Sequence, residues 1–206
     1  MIAKTITTIS AQIAAVLRAS VLQLKPADIG LVDAAGTVWG VVIETAYPDA
    51  VASLIVLADG SVSLYMSDGS GCVGCGSHQE VRGASADLLQ IAENSLPLTV
   101  ATDDMGLPLA GLVRFYLLAG NGLRCAQTRI EDIHTIDARL AVLYFAGQRV
   151  LTTIEKTGAG QSLTQEIRAA QDAMQEPAFV KDVSRDAVQG DEQCLSVGNA
   201  VRRLRT

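Results

Sequence analysis

Residues 51–66, VASLIVLADGSVSLYM, carry the strongest short hairpin signal in the chain. The dipeptide Asp59-Gly60 is typical of a tight turn between two antiparallel strands. In the arm after the turn, apolar residues alternate with serine and tyrosine, as they do in a strand with one buried face. The segment therefore predicts two antiparallel strands, over residues 51–58 and 61–66.

A glycine-rich segment, residues 67–78 (SDGSGCVGCGSH), follows this hairpin directly. Apolar residues at helical spacing cover residues 80–96, so the segment connects a strand to a helix. We expect Ser77 to be the N-cap of that helix, with Glu80 three residues later completing a capping box. If the chain has a functional site, this segment is the first candidate.

The other elements are predicted from the same two periodicities. We expect an amphipathic helix over residues 5–24, strands over residues 38–45, 112–119 and 123–128, a loop over 97–111, a helix over 140–154 and a short helix over 163–174. Periodicity fades after residue 175, and the polar residues 176–206 are predicted to form a partly ordered tail.

Strands cluster in hairpins along this chain and do not alternate strictly with helices. This order favours an α+β fold with a five-stranded antiparallel sheet and helices packed on one of its faces. We predict a single domain over residues 1–175, with its core between residues 38 and 157.

The composition restricts the classes of function. Charged residues make up 18% of the chain, against roughly 25% in typical soluble proteins, and the formal net charge is −6. An acidic chain without clustered Lys and Arg is a poor partner for nucleic acid. No apolar run is long enough to span a membrane, and no secretory signal is visible. We therefore expect a cytoplasmic protein, and the low charge favours a homodimer or another protein partner.

The glycine-rich segment matches the letters of a dinucleotide fingerprint at Gly69-x-Gly71-x-x-Gly74. That fingerprint needs a parallel strand–helix–strand unit, whereas the strand here is the second arm of a hairpin. A more general site for an anion or a phosphate-bearing ligand stays open, because glycines let a ligand approach the backbone. The candidate ligand-binding residues are Gly69, Ser70, Gly71, Gly74, Gly76, Ser77 and His78.

Cys72-x-x-Cys75-x-x-His78 supplies two thiols and an imidazole, which are zinc ligands. Cys125, His134 or Cys194 could supply a fourth ligand, but the chain lacks the second close-spaced pair of a structural zinc site. Four cysteines in a cytoplasmic protein are expected to be free thiols. We therefore predict neither a metal nor a cofactor, and interpret the cysteines as small buried residues.

No complete catalytic set is visible. An enzyme built on Cys72, Cys75 and His78 is the remaining catalytic alternative. The paired carboxylates Asp103 and Asp104 lie among Pro and Gly residues, and we interpret them as a solvated turn.

Four motifs between residues 39 and 155 resemble a family of small, uncharacterised bacterial proteins. They are Trp39-Gly40-Val41-Val42, Asp59-Gly60, the segment Ser63-Leu64-Tyr65-Met66-Ser67-Asp68-Gly69-Ser70-Gly71 and Val113-Arg114-Phe115-Tyr116. The family resemblance implies no activity. At the level of fold alone, helices on a five-stranded antiparallel sheet are similar to roadblock and longin-type modules, which dimerise and scaffold partners.

The sequence thus predicts a non-catalytic interaction or scaffolding module that self-associates. Its alternative is a small-ligand or phosphate-binding protein that uses residues 69–76.

Overall fold

The computed structural model describes residues 2–32 and 36–158. Three helices and seven strands lie in this part of the chain: α1 (Ile2–Leu22), β1 (Val38–Ala46), β2 (Val51–Leu57), β3 (Val62–Met66), β4 (Gly71–Cys72), α2 (Gln79–Ser95), β5 (Val100–Ala101), β6 (Leu112–Ala119), β7 (Gly122–Arg129) and α3 (Ala138–Thr157). The helix predicted over 163–174 and the tail predicted over 176–206 lie outside the described residues.

The strands form one open antiparallel sheet in the order β4-β3-β2-β1-β6-β7-β5. Strand β1 lies at its centre and pairs with β2 and β6 along most of its length, from Gly40 opposite Leu57 to Thr45 opposite Val113. The predicted hairpins are present as the pairs β2–β3 and β6–β7. The α+β class is confirmed.

The predicted number of five strands is wrong. The two further strands, β4 and β5, lie at opposite edges of the sheet and contain two residues each. One arises in the glycine-rich segment and the other in the predicted loop 97–111. Periodicity cannot reveal a strand of two residues, because alternation needs at least four positions to be recognised.

Helices cover both faces of the sheet, whereas one face was predicted. Successive side chains of a strand point to opposite faces. On one face Val41, Ile43, Leu54, Phe115 and Leu117 pack with Val81, Leu88, Leu143, Val150 and Ile154 of α2 and α3. On the other face Trp39, Val42, Ile55, Tyr116 and Leu118 pack with Ala14 and Leu22 of α1. The sheet is therefore the middle of three layers.

Helix α3 has clear signals at both ends. Its N-cap is Asp137, whose side chain accepts a hydrogen bond from the backbone nitrogen of Arg139, and Gly158 ends it in the left-handed conformation. Hydrogen bonds from the side chain and then the backbone of Arg139 lower the pKa of Asp137 to about 2. The cap therefore keeps its charge well into the acidic range.

Gly147 lets α3 lie close against the centre of the sheet. A methyl group at this position would lie 2.6 Å from Cδ1 of Ile43, which is closer than carbon atoms pack. Ile43 is buried, so its terminal methyl could move only by displacing other core side chains.

We expect Gly147→Val to lower the free energy of unfolding by about 1–3 kcal/mol, because it overpacks this contact. Gly83→Val is the matched control. Gly83 lies in α2, is exposed and has no neighbouring atom within 4 Å of the added carbon, so its effect should stay within about 0.5 kcal/mol. Urea denaturation measures both, and equal effects would contradict the close approach of α3.

Candidate functional site

The glycine-rich segment forms a tight hairpin against β3. Gly71 pairs with Tyr65 and has a φ of 134°, a backbone conformation that other residues rarely adopt. A methyl group at Gly71 would lie 2.0 Å from the carbonyl oxygen of Leu64. A methyl group at Gly76 would lie 2.1 Å from the carbonyl oxygen of Gly60. These glycines are explained by close packing of backbone on backbone.

Cys72 and Cys75 form a disulfide. The expectation of free thiols is therefore wrong for this pair. Both residues are buried and pack with Val62 and Val81 in the core under α2. Burial of small apolar side chains was the predicted role, but the covalent bond was not foreseen. In this state neither sulfur is available as a nucleophile or as a thiolate ligand.

Metal binding finds no support in the described residues. They contain no group of three or more His, Cys, Asp or Glu residues arranged to hold an ion. His78 is exposed at the start of α2, and the exposed His134 packs against the ring of Phe145 with 5.5 Å between ring centroids. Cys125 is half-buried, and burial raises the pKa of its thiol. Cys194 lies outside the described residues.

Several backbone nitrogens of the glycine-rich segment already have partners in the segment or at the end of β3. Those of Gly69 and Ser77 donate to carbonyl oxygens of the turns, and that of Ser70 donates to Oδ1 of Asp68 at 2.8 Å. An anion would have to displace a carboxylate that already occupies this position. The ligand-binding role of Gly69, Ser70, Gly71, Gly74, Gly76, Ser77 and His78 stays a prediction, and these hydrogen bonds disfavour it for phosphate.

The predicted cap of α2 is wrong. The N-cap is His78, whose side chain makes no capping hydrogen bond, and the box between Ser77 and Glu80 does not form. A short 3₁₀ turn, Cys75–Ser77, precedes the helix and shifts its first turn by one residue. Gly74, in the left-handed conformation, begins this turn, which ties the start of α2 to the disulfide.

A charged cluster that sequence reasoning missed lies on the opposite face of the sheet. Glu44, at the centre of β1, is fully buried. Arg18 of α1 donates from Nε to Oε1 and from Nη2 to Oε2, the latter at 2.8 Å. The hydroxyl of Ser53 donates to Oε1 at 2.9 Å. Both carboxylate oxygens are thus occupied, as a buried charge requires.

The same arginine holds a long loop against the sheet. Arg18 Nη1 donates to the carbonyl oxygen of Met105 at 2.7 Å, and Nη2 donates to that of Gly106 at 3.1 Å. Burial acts to lower the pKa of Arg18, but the hydrogen bond and charge of Glu44 outweigh it and raise the pKa overall. Arg18 therefore remains charged and joins α1, β1 and the loop.

A second layer of hydrogen bonds surrounds this loop. The hydroxyl of Tyr116 is shared between the carbonyl oxygens of Asp104 and Gly106, each at 3.1 Å. Arg114 Nη1 donates to the Gly106 carbonyl at 2.9 Å and to Oδ2 of Asp104 at 3.2 Å. The backbone nitrogen of Gly106, and then Arg114, lower the pKa of Asp104. Asp104 thus shapes a turn, in line with the interpretation of Asp103 and Asp104.

The cluster stabilises the packing of α1 and of the loop against the sheet and is not arranged for proton transfer. A general base needs a free lone pair within reach of a substrate proton, whereas the oxygens of Glu44 accept from Arg18 and Ser53. The signal in the sequence was a glutamate inside the apolar run 38–46, because a charge on a central strand needs a buried partner. Nothing in the sequence marked Arg18 as that partner.

The exposed positions in the middle of α3 are apolar. Between residues 140 and 148 they are Val142 and Phe145, with 51% and 47% of their surface accessible. The ring of Tyr144 packs edge-on against Phe145, with 5.4 Å between ring centroids. Burial, and then the nearby Tyr47, raise the pKa of Tyr144, and Tyr47 is 43% exposed. We define the α3 surface as Tyr47, Val142, Tyr144 and Phe145.

Comparison of the chain with known protein families, with curated proteins and with solved structures finds no match. The resemblance to a bacterial family and to roadblock and longin-type modules therefore stays a prediction. None of the helices in residues 2–32 and 36–158 combines the length and apolar character needed to cross a membrane.

We expect Arg18→Met to lower the free energy of unfolding by about 3–5 kcal/mol, because it leaves the buried carboxyl group of Glu44 without its ionic partner. Arg139→Met removes an exposed ion pair with Asp137 and should change the free energy of unfolding far less, because solvent screens exposed charges. Adding Glu44→Leu to Arg18→Met should recover part of the loss. Denaturant titration of all three variants checks this, and an Arg18→Met protein as stable as Arg139→Met would contradict it.

We expect the tryptic peptide that ends at Arg82, from protein purified without reductant, to resist alkylation in denaturant. It contains Cys72 and Cys75 and no other cysteine, and its mass should be lower by two hydrogens than after reduction. Reduction should then allow two alkyl groups to attach. Alkylation before reduction would show that the disulfide is absent.

Proposed function

We propose that this chain is a non-catalytic interaction module that self-associates through the α3 surface. The observation that carries the proposal is the apolar character of exposed helix positions that ordinarily hold polar residues. Val142 and Phe145 stand one helical turn apart on the outer side of α3, where Tyr47 and Tyr144 extend the same surface. An aromatic patch of this kind marks an interaction site.

A second copy of the chain is the occupant that fits this surface. The chain has a formal net charge of −6, so two copies repel one another at long range. Arg139 and Arg149 flank Val142 and Phe145 on α3, and each is paired with a carboxylate, Asp137 or Asp87. These ion pairs offset the like charges that would otherwise oppose one another where two such surfaces meet. Aromatic side chains that are half-exposed in the monomer gain burial on both sides of a symmetric contact.

Support for a non-catalytic role comes from the state of the candidate reactive groups. Cys72 and Cys75 are joined and buried. Both carboxylate oxygens of Glu44 accept hydrogen bonds, and Oδ1 of Asp104 accepts one from the backbone nitrogen of Gly106. These polar groups therefore stabilise loops and layers.

We expect the full chain to dimerise in a concentration-dependent manner, and Phe145→Glu to raise the dissociation constant about 30-fold or more. A symmetric contact places two such charges in one apolar interface, so dimerisation must desolvate both glutamates. Analytical ultracentrifugation over a range of protein concentrations measures the effect.

Val16→Glu is the matched control. Val16 is an apolar residue on α1, 65% exposed, on the other side of the sheet. Its replacement adds the same charge to a helix surface and should leave the dissociation constant unchanged. A chain that is monomeric at all concentrations, or a dimer disrupted by Val16→Glu and not by Phe145→Glu, would overturn the proposal.

A further inference from the structure

Residues 71–76 cover the outer edge of β3. Strand β4 pairs with β3 through its two residues, Gly71 and Cys72. Near the start of β3, Gly76 packs so closely on Gly60 that a methyl group on it would lie 2.1 Å from the Gly60 carbonyl oxygen. In the order of the sheet, β3 has β2 on one side and β4 on the other. Without residues 71–76, β3 would therefore be the edge strand.

The disulfide joins the two parts of this segment. Cys72 ends β4, and Cys75 begins the 3₁₀ turn that leads into α2. Both residues are buried, with 0% and 2% of their surface accessible, whereas Val73 and Gly74 between them are exposed. The covalent bond thus lies in the core, and the tip of the ring that it closes lies in solvent.

Strand pairing and helix capping are weak at this edge. Strand β4 contains two residues, and the side chain of His78, the N-cap of α2, makes no capping hydrogen bond. Arg82 reaches back from α2, where its Nε donates to the carbonyl oxygen of Gly76 at 3.1 Å. Short pairing and exposed residues are typical of a segment that opens locally while the rest of the chain stays folded. The disulfide therefore restrains a part of the sheet that otherwise opens readily.

Burial controls how the disulfide is reduced. Thiol–disulfide exchange begins when a thiolate reaches one of the two sulfurs, and in the closed segment both cysteines belong to the core. Reduction therefore has to wait until residues 71–76 open. Two thiols also need more room than two bonded sulfurs, and a close-packed core has little room to spare. The reduced segment should therefore close less completely than the oxidised one.

We propose that the Cys72–Cys75 disulfide is a redox switch for this edge of the sheet. In the oxidised chain it holds β4 and the first turn of α2 against β3. Reduction releases both elements and uncovers the edge of β3. The proposal does not depend on self-association through the α3 surface.

A dithiol is the reductant that drives the release. One thiolate of the dithiol attacks a cysteine sulfur, the bond between Cys72 and Cys75 breaks, and a mixed disulfide forms. The second thiol of the reductant then displaces the remaining cysteine and closes the reductant's own disulfide. The dithiol thereby loses two electrons, and its two protons end on the thiols of Cys72 and Cys75.

The rate of reduction tests whether opening is required. We expect dithiothreitol to reduce the disulfide about 100-fold more slowly in the native full chain than in the same chain unfolded in urea, at equal pH and reductant concentration. Thiols trapped with iodoacetamide at intervals, and measured by mass on the tryptic peptide that ends at Arg82, give both rates.

Amide hydrogen exchange tests the release itself. In the full chain kept in dithiothreitol, peptides from residues 62–82 should exchange about tenfold faster than in the oxidised chain, because a local restraint has been lost. Peptides from β6 and α3 should exchange at unchanged rates. Re-oxidation with oxidised glutathione, which yields two molecules of glutathione, should restore the slow exchange.

Two variants serve as controls. The double variant Cys72→Ala with Cys75→Ala should exchange rapidly in residues 62–82 whether or not dithiothreitol is present. Cys125→Ala removes the free thiol of the described residues and should respond to dithiothreitol as the original chain does. The far-UV spectrum shows whether each variant is folded, and the comparison of oxidised with reduced original chain is decisive without them.

Three results would overturn the proposal. The first is equally fast reduction in the native and in the unfolded chain, which would mean that the sulfurs are open to solvent. The second is exchange in residues 62–82 that reduction leaves unchanged, which would make the disulfide a core contact without a switching role. The third is exchange that rises equally in β6 and α3, which would mean that reduction destabilises the whole chain.

Discussion

The ion pair between Arg18 and Glu44 is the interaction on which the layered arrangement depends. A glutamate at the centre of the sheet needs donors to remain charged. Arg114 lies opposite it on β6, but its guanidinium donates to Asp104 and Gly106. The guanidinium that pairs with Glu44 comes from α1, which must therefore lie over β1 at this level. Its remaining hydrogens reach the loop that carries Met105 and Gly106. One side chain thus fixes the position of a helix, a strand and a loop relative to one another.

The two faces of the sheet are held by different forces. Under α2 and α3 the core is continuous and apolar, and Gly147 brings α3 into close contact with β1. Under α1 a smaller apolar cluster surrounds the charged one. Apolar packing tolerates many substitutions of similar volume, whereas the charged cluster depends on exact partners. Substitutions are therefore less well tolerated on the face with α1, whereas the face with α2 and α3 provides more of the apolar burial.

The sequence predicted the long elements because their periodicities extend over many residues. Both hairpins and helices α2 and α3 follow from alternation, glycine turns and helical spacing. The amphipathic helix predicted over residues 5–24 is present as α1, but not all of its apolar residues face the sheet: Ile13 and Val16 are exposed, while Ala14, Arg18 and Leu22 are buried. Hydrophobic periodicity assigns an arginine to the exposed side of a helix. Arg18 lies on the buried side because it pairs with Glu44. The disulfide and the two-residue strands also depend on contacts that spacing alone does not encode. For the candidate site, glycines marked a place where backbones meet closely, which a sequence cannot distinguish from a place where a ligand meets the backbone.

The buried pair also limits how this protein can change over evolutionary time. Either residue replaced alone leaves a charge sealed away from water, so a lineage that loses one partner passes through an intermediate that folds poorly. Positions 18 and 44 are far apart in the chain, yet they can be exchanged only together, for example for two apolar residues. Among diverged descendants of this chain, the two positions should therefore vary as one unit, and the identity of one should reveal that of the other.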